Sequence, residues 1–298
     1  MGKSRLGIRL ASLFQGEIVN ADSRQVYRLM DIGTAKPSRQ EMSSLPHHLF
    51  DIIYPDQDFS LAEYQVAAAS VISAIQDRNK IPILVGGSGQ YVWAVLEGWV
   101  IPRVPPDREL RKKLEMEAGE GGIDGLYFKL QEIDPLAAQK IDKRNVRRVI
   151  RALEVCLLAG QPFSSLQEKN KPGYSTLVIG LTAARDELYR RTDSRVDQMM
   201  QQGLVEETRD LLEKGYGPEL PALSSIGYSQ IGMMLRAEIT REEAVRQIKT
   251  ANHRFVRHQY AWFKAEDRRI HWFDVGGDFT PAVTELVANW LSSAITRM

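Results

Sequence analysis

The sequence has a single cysteine and no long hydrophobic run, and these two absences exclude several classes of protein. Cys156 is the one cysteine among 298 residues, so an intramolecular disulfide is excluded. No apolar stretch reaches the roughly 18 residues that a membrane-spanning helix requires, and the first residues lack the pattern of a secretory signal. We therefore expect a cytoplasmic protein with no membrane-bound part, in which Cys156 is a buried structural thiol.

The sequence also lacks a strong net charge. The formal net charge is +1, with 39 lysines and arginines against 38 acidic residues. This balance does not decide for or against a nucleic-acid partner, because such a protein needs only to concentrate positive charge on one face. The length and a hydrophobic content of 43% fit one large domain, or a core with a smaller second domain.

Four short apolar segments indicate buried parallel strands: residues 17–21, 81–85, 177–181 and 270–273. Turn residues and helical periodicity follow them, which predicts an α/β protein whose three-layer core contains a parallel sheet. Residues 107–170 show helical periodicity almost throughout, and this block is too long for an ordinary crossover. The sequence therefore predicts a core of residues 1–106 and 171–298, with residues 107–170 as an all-helical insertion domain.

Gly2, Lys3 and Ser4 match the last three positions of a phosphate-binding loop, whose pattern is G-x-x-x-x-G-K-S/T. In such loops backbone amides and the lysine surround phosphate oxygens, while the hydroxyl binds magnesium. The apolar residues behind the motif recur at helical spacing: Leu6, Leu10, Leu13 and Phe14. This spacing predicts the helix that follows a phosphate loop. The opening half of the pattern has no counterpart in the sequence.

Asp22 and a glycine-rich segment follow two of the predicted strands. Ligands of open parallel sheets bind at the carboxyl ends of strands, so Asp22 is expected beside the phosphate loop. Asp22 is a candidate general base or magnesium ligand, or alternatively a helix cap paired with Gln25. The glycine-rich segment, residues 86–89, can present backbone amides and the Ser88 hydroxyl to an anion, or it is only a tight turn. Two donor-rich loops at one sheet edge favour a diphosphate over a single phosphate.

Arg191 and Arg195 are four residues apart on a predicted helix, so they share a face and could clamp a polyanion. Glu187 precedes Arg191 by four residues, and this spacing equally fits a surface ion pair that contributes little to stability. The spacing alone favours the ion pair.

Two further helices are predicted to carry basic stripes opposite apolar anchors. The first stripe comprises Arg144, Arg147, Arg148 and Arg151. The second belongs to a helix capped by Thr240 and Glu243 and comprises Arg246, Lys249, His253, Arg257 and Lys264. Their expected apolar anchors are Val146, Val149, Ile150 and Leu153 in the first helix, and Ile248, Phe255 and Trp262 in the second. One basic stripe is usually a solvated face, but two such stripes favour a nucleic-acid backbone as partner.

The order and spacing of several motifs resemble those of bacterial tRNA dimethylallyltransferases, the IPP transferase family, over essentially the whole chain. The motifs are GKS at 2–4, DSRQVY at 22–27, DIGTAKP at 31–37, PHHLFD at 46–51, GGSGQY at 86–91, the run 147–154 and GYSQ at 227–230. The DIGTAKP run is the most specific of these. The resemblance implies a P-loop nucleotide-kinase-like core and the transfer of a dimethylallyl group from dimethylallyl diphosphate to the amine of the adenosine 3′ of the anticodon.

The resemblance also implies roles for individual residues. Asp22 resembles the general base that accepts a proton from the adenine amine. The diphosphate and nucleotide-binding positions are Gly2, Lys3, Ser4, Ser88, Arg191 and Arg195, with Ser4 on Mg²⁺. The tRNA-contacting positions are Asp22, Ser23, Arg24, Gln25, Ser88, Arg111, Arg147, Arg148, Val149, Ile150 and Arg151. The expected partners are the anticodon stem-loop of tRNA, gripped by the helical insertion with the adenine flipped out, and dimethylallyl diphosphate. We expect a monomer.

The sequence departs from the family at two points. Ser88 stands where threonine is usual, and either hydroxyl can donate. Family members begin with a strand and Gly-Pro-Thr-Ala before the Gly-Lys-Ser motif, so a sheet without its central strand and an impaired activity are expected. Two other functions are compatible with the motifs: a P-loop kinase of a small molecule or nucleoside, which would need ATP, and a tRNA-binding protein without catalysis.

Overall fold

The computed structural model describes residues 2–102, 104–166, 168–170 and 172–295. It divides into two units, one formed by Met1–Leu96 with Gly173–Met298 and the other by Glu97–Pro172. The insertion that the sequence predicts at residues 107–170 lies inside the second unit. Within the described residues no helix combines the length and apolar character needed to cross a membrane.

The first unit contains strands β1 (Gly16–Ala21), β2 (His47–His48), β3 (Ile81–Gly86), β4 (Val178–Thr182) and β5 (Ile270–Asp274). Every strand pairing in these residues is parallel, as the buried apolar runs predict. The strands form a sheet in the order β2-β1-β3 and a separate pair of β4 with β5. All six residues of β1 are buried, so this strand is covered on both faces.

A cavity of about 500 Å³ lies between β3 and β4. Its walls are mostly apolar side chains of these two strands and of helix α1 (Lys3–Leu13), and Lys3 and Gly87 are also among its lining residues. The cavity therefore separates the two sheets.

The remaining helices of the first unit are α2 (Arg39–Ser44), α3 (Leu61–Gln76), α4 (Gly89–Glu97), α9 (Arg185–Gln202), α10 (Leu204–Glu213), α11 (Tyr228–Leu235), α12 (Arg241–Trp262) and α13 (Thr280–Ile295). Polar caps set several helix starts. Ser60 accepts a hydrogen bond from the Glu63 amide at the start of α3, and Thr240 accepts one from the Glu243 amide at the start of α12. The second cap confirms the predicted pairing. The main core lies between the β1 sheet and helices α3, α4 and α9–α12.

The second unit is helical, with α5 (Arg108–Glu120), α6 (Gly122–Ile133), α7 (Pro135–Lys140), α8 (Val146–Ala159) and a 3₁₀ helix at Phe163–Leu166. Its own core contains Leu114, Leu126, Leu130, Val149, Ile150 and Leu153, all of which are buried. Helix α8 begins at Val146 because the Asn145 side chain accepts a hydrogen bond from the Arg148 amide.

Candidate active site

The N-terminus of helix α1 carries the predicted phosphate-binding residues. Gly2 caps this helix with φ 92°, a left-handed conformation that favours glycine. Lys3 is half-buried and Ser4 is exposed in the first turn. The first amides of a helix have no partner within the helix, so this terminus can bind an anion.

Asp22 lies in a turn directly after β1. Its Oδ1 accepts a hydrogen bond from the Arg24 amide at 2.9 Å, and its carbonyl accepts one from the Gln25 amide at 3.2 Å. No helix begins here, so the alternative reading of Asp22 as a helix cap is wrong. The Asn20 side chain supports the turn, because its amide donates to the Asp22 carbonyl and its oxygen accepts from the Asp22 amide.

The glycine-rich segment after β3 meets this turn. The Ser88 amide donates to the Ala21 carbonyl at 3.2 Å, and the Ser88 hydroxyl accepts from the Ser23 amide at 2.9 Å. A Cβ atom at Gly86 would lie 2.1 Å from the Ala21 oxygen, so only glycine permits this approach. A Cβ atom at Gly87 would lie 3.6 Å from the Lys3 Nζ, which places the lysine ammonium over the loop. The structure thus brings Lys3 and Ser88 together at one sheet edge.

Three charged groups interact at this edge. Burial raises the pKa of Asp22 above its usual range, although the Arg24 amide and the positive charge of Lys3 act against this rise. Burial lowers the pKa of Lys3, the negative charge of Asp22 raises it, and the positive charge of Arg195 lowers it further. Neighbouring atoms shield the Arg195 guanidinium from water and lower its pKa. The negative charge of Asp22 opposes this effect. A carboxylate with a raised pKa is suited to accept a proton near neutral pH.

A polar cavity of about 360 Å³ adjoins the start of α1, and it is lined by Gly2, Arg190, Arg191, Ser194, Arg195 and Gln198. Arg191 and Arg195 therefore do share a face toward Gly2. Arg191 also donates to Glu187 and, at 3.2 Å, to the Val275 carbonyl. Arg191 forms the predicted ion pair with Glu187 and also lines this cavity.

The available ligands fit magnesium only in part. The described residues contain no group of three or more histidine, cysteine or acidic side chains that could hold a metal by themselves. Magnesium usually keeps several waters and takes one or two protein ligands together with substrate phosphates. The exposed Ser4 hydroxyl could serve as one such protein ligand, with a diphosphate supplying further oxygens.

In the second unit, the predicted tRNA contacts on α8 divide into exposed and buried residues. Arg147 and Arg148 are exposed, whereas Val149 and Ile150 belong to the core. Arg151 donates to the Val104 carbonyl at 2.8 Å and to the buried carboxylate of Glu154. Val149 and Ile150 anchor α8 in the core, and the anchored helix presents Arg147 and Arg148 to solvent.

Two predictions about the first basic helix are wrong, one for a stripe residue and one for an apolar anchor. Arg144 precedes the helix and forms an ion pair with Asp142 at 2.7 Å, because the Asn145 cap starts α8 one residue later. Val146, expected as an apolar anchor, is 37% exposed at the first helical position.

The second predicted stripe is largely neutralised by acidic partners. Arg246 pairs with Glu243, Lys249 with Asp197 at 2.7 Å, and His253 with Asp193 at 2.8 Å. Lys264 lies beyond the end of α12, and the supposed anchor Phe255 is 45% exposed. These pairs leave less free positive charge on α12 than helical spacing alone predicts, because Asp193 and Asp197 of α9 pair with two residues of the stripe.

Glu154 is a site-forming residue that the sequence analysis missed. Its side chain is fully buried, and it accepts hydrogen bonds from Arg111 Nε at 2.8 Å, Arg111 Nη2 at 2.9 Å and the Asp107 amide at 2.8 Å. Burial alone would raise the pKa of Glu154, but the hydrogen bonds from Arg111 and Arg151 lower it overall. An acidic residue on the apolar face of an amphipathic helix was the available signal.

The parallel α/β core, with a lysine, a glycine-rich loop and a carboxylate at one sheet edge, defines a P-loop-like group-transfer protein. The family profile described as IPP transferase matches residues 25–266. The tRNA dimethylallyltransferase of Dehalococcoides mccartyi is 48% identical over 98% of this chain and 90% of its own length. That of Herpetosiphon aurantiacus is 48% identical over 97% of this chain and 91% of its own length. The chain belongs to the IPP transferase family.

Solved structures agree with this assignment. The tRNA isopentenylpyrophosphate transferase of Bacillus halodurans has a TM-score of 0.73 and 37% identity, covering 100% of this chain and 96% of its own. A eukaryotic dimethylallyltransferase, described as acting on tRNA, has a TM-score of 0.74 and 28% identity, covering 92% of this chain and 71% of its own.

Proposed function

We propose that this protein transfers a dimethylallyl group from dimethylallyl diphosphate to the exocyclic N6 amine of the adenosine 3′ of a tRNA anticodon. The observation that carries the proposal is the position of Asp22, whose carboxylate interacts with the charges of Lys3 and Arg195 at the edge where β1 and β3 end. A base and a polyanion site are thereby adjacent. The names of the family relatives support the same reaction.

In the proposed reaction the adenine N6 forms a bond to C1 of the allyl group as the bond from C1 to the diphosphate oxygen breaks. The electron pair of the broken bond leaves with the diphosphate. The proton from N6 passes to the Asp22 carboxylate, whose raised pKa favours acceptance. The base must leave its stack to reach a donor held at this sheet edge.

The leaving diphosphate gains negative charge, and the residues around Gly2 supply the positive groups that stabilise it. Lys3, Arg191, Arg195 and the first amides of α1 are the donors available there. Ser4 would hold Mg²⁺, which when bound would neutralise part of the diphosphate charge. Ser88 has a supporting role, because its hydroxyl joins the loop to Ser23 of the Asp22 turn.

The helical second unit is proposed to bind the anticodon stem-loop. Arg147 and Arg148 are exposed at the start of α8, and the described residues offer neither guanidinium a hydrogen-bond partner. Such side chains suit phosphates of the RNA backbone better than Arg246 of α12 does, because Arg246 is held in an ion pair by Glu243. We further propose that the protein acts in the cytoplasm, because its proposed substrate is tRNA.

A Lys3→Met variant is expected to move the pH dependence of transfer. Asp22 acts in its charged form, so activity rises with pH through the pKa of Asp22. Removing the ammonium removes a charge that lowers this pKa, so the rising limb of kcat should shift to higher pH. The loss of a diphosphate donor should also lower kcat by about 10²-fold or more.

The measurement is kcat at saturating substrates between about pH 5 and pH 9. The exposed Lys214→Met serves as the matched control and should leave the profile unchanged. A Lys3→Met profile with an unshifted acid limb would separate Lys3 from Asp22.

Arg148→Ala is expected to weaken tRNA binding and to reduce its salt dependence. Each phosphate contact that is lost lowers the slope of log K against log salt by about 0.7 to 0.9. Filter binding of unmodified tRNA at several salt concentrations measures this slope. Arg246→Ala, whose arginine is held by Glu243, is the control and should keep the wild-type slope. Equal slopes in both variants would contradict a contact at α8.

The function is tested by supplying unmodified tRNA with either dimethylallyl diphosphate or ATP. The proposal predicts diphosphate release that requires both tRNA and dimethylallyl diphosphate. Phosphoryl transfer from ATP to a small molecule without tRNA would identify a kinase instead, and tRNA binding without release from either donor would identify a non-catalytic binder.

A further inference from the structure

Glu207 of helix α10 occupies an anion-binding site formed by the segment 31–33. Its Oε2 accepts hydrogen bonds from the Asp31 and Ile32 amides at 2.9 Å, and its Oε1 accepts one from the Gly33 amide at 3.1 Å. The Tyr228 hydroxyl donates to the same Oε1 at 2.6 Å. Three successive backbone amides and one hydroxyl therefore donate to one carboxylate. A negatively charged acceptor suits this set of donors, and the hydrogen bonds hold it in place.

The contacts around this carboxylate leave the segment little freedom. A Cβ atom at Gly33 would lie 2.4 Å from the Tyr228 ring, so the ring packs directly against the backbone. Lys36 is 3% exposed and donates to the Tyr27 carbonyl at 2.5 Å, to Asp31 at 2.7 Å and to Asp51 at 2.5 Å. The DIGTAKP run, which the sequence analysis singled out without a physical role, is thus a rigid loop held at both ends.

The same loop fixes the side chain of Gln25. The Gln25 Nε2 donates to the Thr34 carbonyl at 2.9 Å and to the Ala35 carbonyl at 3.0 Å. Both amide hydrogens are committed, so the orientation of the amide is determined and its Oε1 is the remaining acceptor. No donor to this oxygen is present among the described residues. Gln25 also closes the turn that contains Asp22, because its backbone amide donates to the Asp22 carbonyl at 3.2 Å.

We propose that Glu207 is a positioning residue that acts on the proposed tRNA site through the loop at 31–35 and Gln25. The carboxylate holds the loop, the loop carbonyls orient the Gln25 amide, and the amide oxygen is presented to a hydrogen-bond donor of the tRNA beside Asp22. Glu207 itself does not touch the substrate. This inference rests on the proposed tRNA prenyl transfer and adds a residue on which that transfer depends.

The test is a double-mutant cycle of Glu207→Gln and Gln25→Ala, read as kcat/KM for tRNA. A glutamine at 207 keeps the volume but turns an NH₂ group toward backbone amides that need an acceptor. Each single variant is expected to lose about tenfold, within the range for residues of one hydrogen-bond network. If Glu207 acts through Gln25, the double variant should stay within about twofold of Gln25→Ala alone.

The KM values separate positioning from a general structural defect. Glu207→Gln should raise the KM for tRNA and leave the KM for dimethylallyl diphosphate within about twofold, because Lys3 and the α1 terminus are not part of this network. Glu206→Gln, the exposed neighbour on the same helix, is the control and should match the wild type.

A double variant that loses about a hundredfold, the product of the two single losses, would overturn the proposal. If Glu207→Gln does not fold, Tyr228→Phe takes its place, since it deletes one donor to the carboxylate and keeps the ring against Gly33. An unchanged KM for tRNA in Tyr228→Phe, or a multiplicative cycle with Gln25→Ala, then overturns it. Absence of transfer by the wild type in the same assay would instead refute the proposed function.

Discussion

Asp22→Asn is expected to lower prenyl transfer by about 10²- to 10⁴-fold, the usual contribution of a general base. Asparagine can still accept the hydrogen bond from the Arg24 amide through its side-chain oxygen, so the turn after β1 should persist. What it cannot do is take the N6 proton. The loss should therefore be confined to the chemical step, and tRNA affinity should stay within about tenfold of the wild type.

Single-turnover rates with saturating enzyme measure the chemical step apart from binding. Asp210→Asn, which changes an exposed carboxylate of α10, is the matched control and should react at the wild-type rate. An Asp22→Asn variant with near-normal single-turnover rates would remove Asp22 from the mechanism.

Glu154→Ala is expected to have the largest effect on stability. The wild-type carboxylate is fully buried and accepts hydrogen bonds from Arg111, Arg151 and the Asp107 amide. Its removal leaves these donors without their acceptor. Because Arg111 and Arg151 are 39% and 32% exposed, water can solvate part of their charge, and the expected cost is about 1 to 3 kcal/mol. Arg111 and Arg151 would also lose their orientation, so tRNA affinity should fall together with stability.

The pH dependence of stability provides a second test of the role of Glu154. Because folding lowers the pKa of Glu154, its stabilisation is present above the usual pKa of a glutamate and is lost as the pH falls through the lowered value. Denaturant unfolding followed at several pH values should show this loss in the wild type and not in Glu154→Ala. Glu115→Ala, an exposed residue of α5, is the control. A Glu154→Ala protein as stable as the wild type would contradict the structural role.

Some of these features could be predicted from sequence because they depend on short-range patterns. The strands β1, β3, β4 and β5 are short apolar runs, and each run marks its strand within one or two residues. Strand β2 has only two residues, both histidines, and no such pattern marks it. Its pairing with Ile18 and Val19 arises from the tertiary fold.

Site residues that lie in sequence motifs could be predicted, whereas contacts between side chains far apart in the sequence could not. Asp22 and Ser88 lie in motifs that follow β1 and β3, so the rule for strand ends places them at one sheet edge, whereas Lys3 is marked by its phosphate-loop motif. Glu207 contacts the loop at 31–33 from 174 or more positions away, and the acidic partners of Lys249 and His253 belong to α9. Helical spacing within one segment contains no information on these pairings. For this reason the sequence did not reveal the contact of Glu207 with the loop, and it overestimated the free positive charge of α12.

The mass and position of the modified nucleoside test the proposed prenyl transfer most directly. Unmodified tRNA is incubated with the wild-type protein, dimethylallyl diphosphate and Mg²⁺, then digested and analysed by mass spectrometry with fragment sequencing. We expect the adenosine 3′ of the anticodon to gain one dimethylallyl group with the wild-type protein and to stay unmodified with Asp22→Asn. An unmodified adenosine with the wild-type protein, or a group attached at another nucleotide, would contradict the proposal.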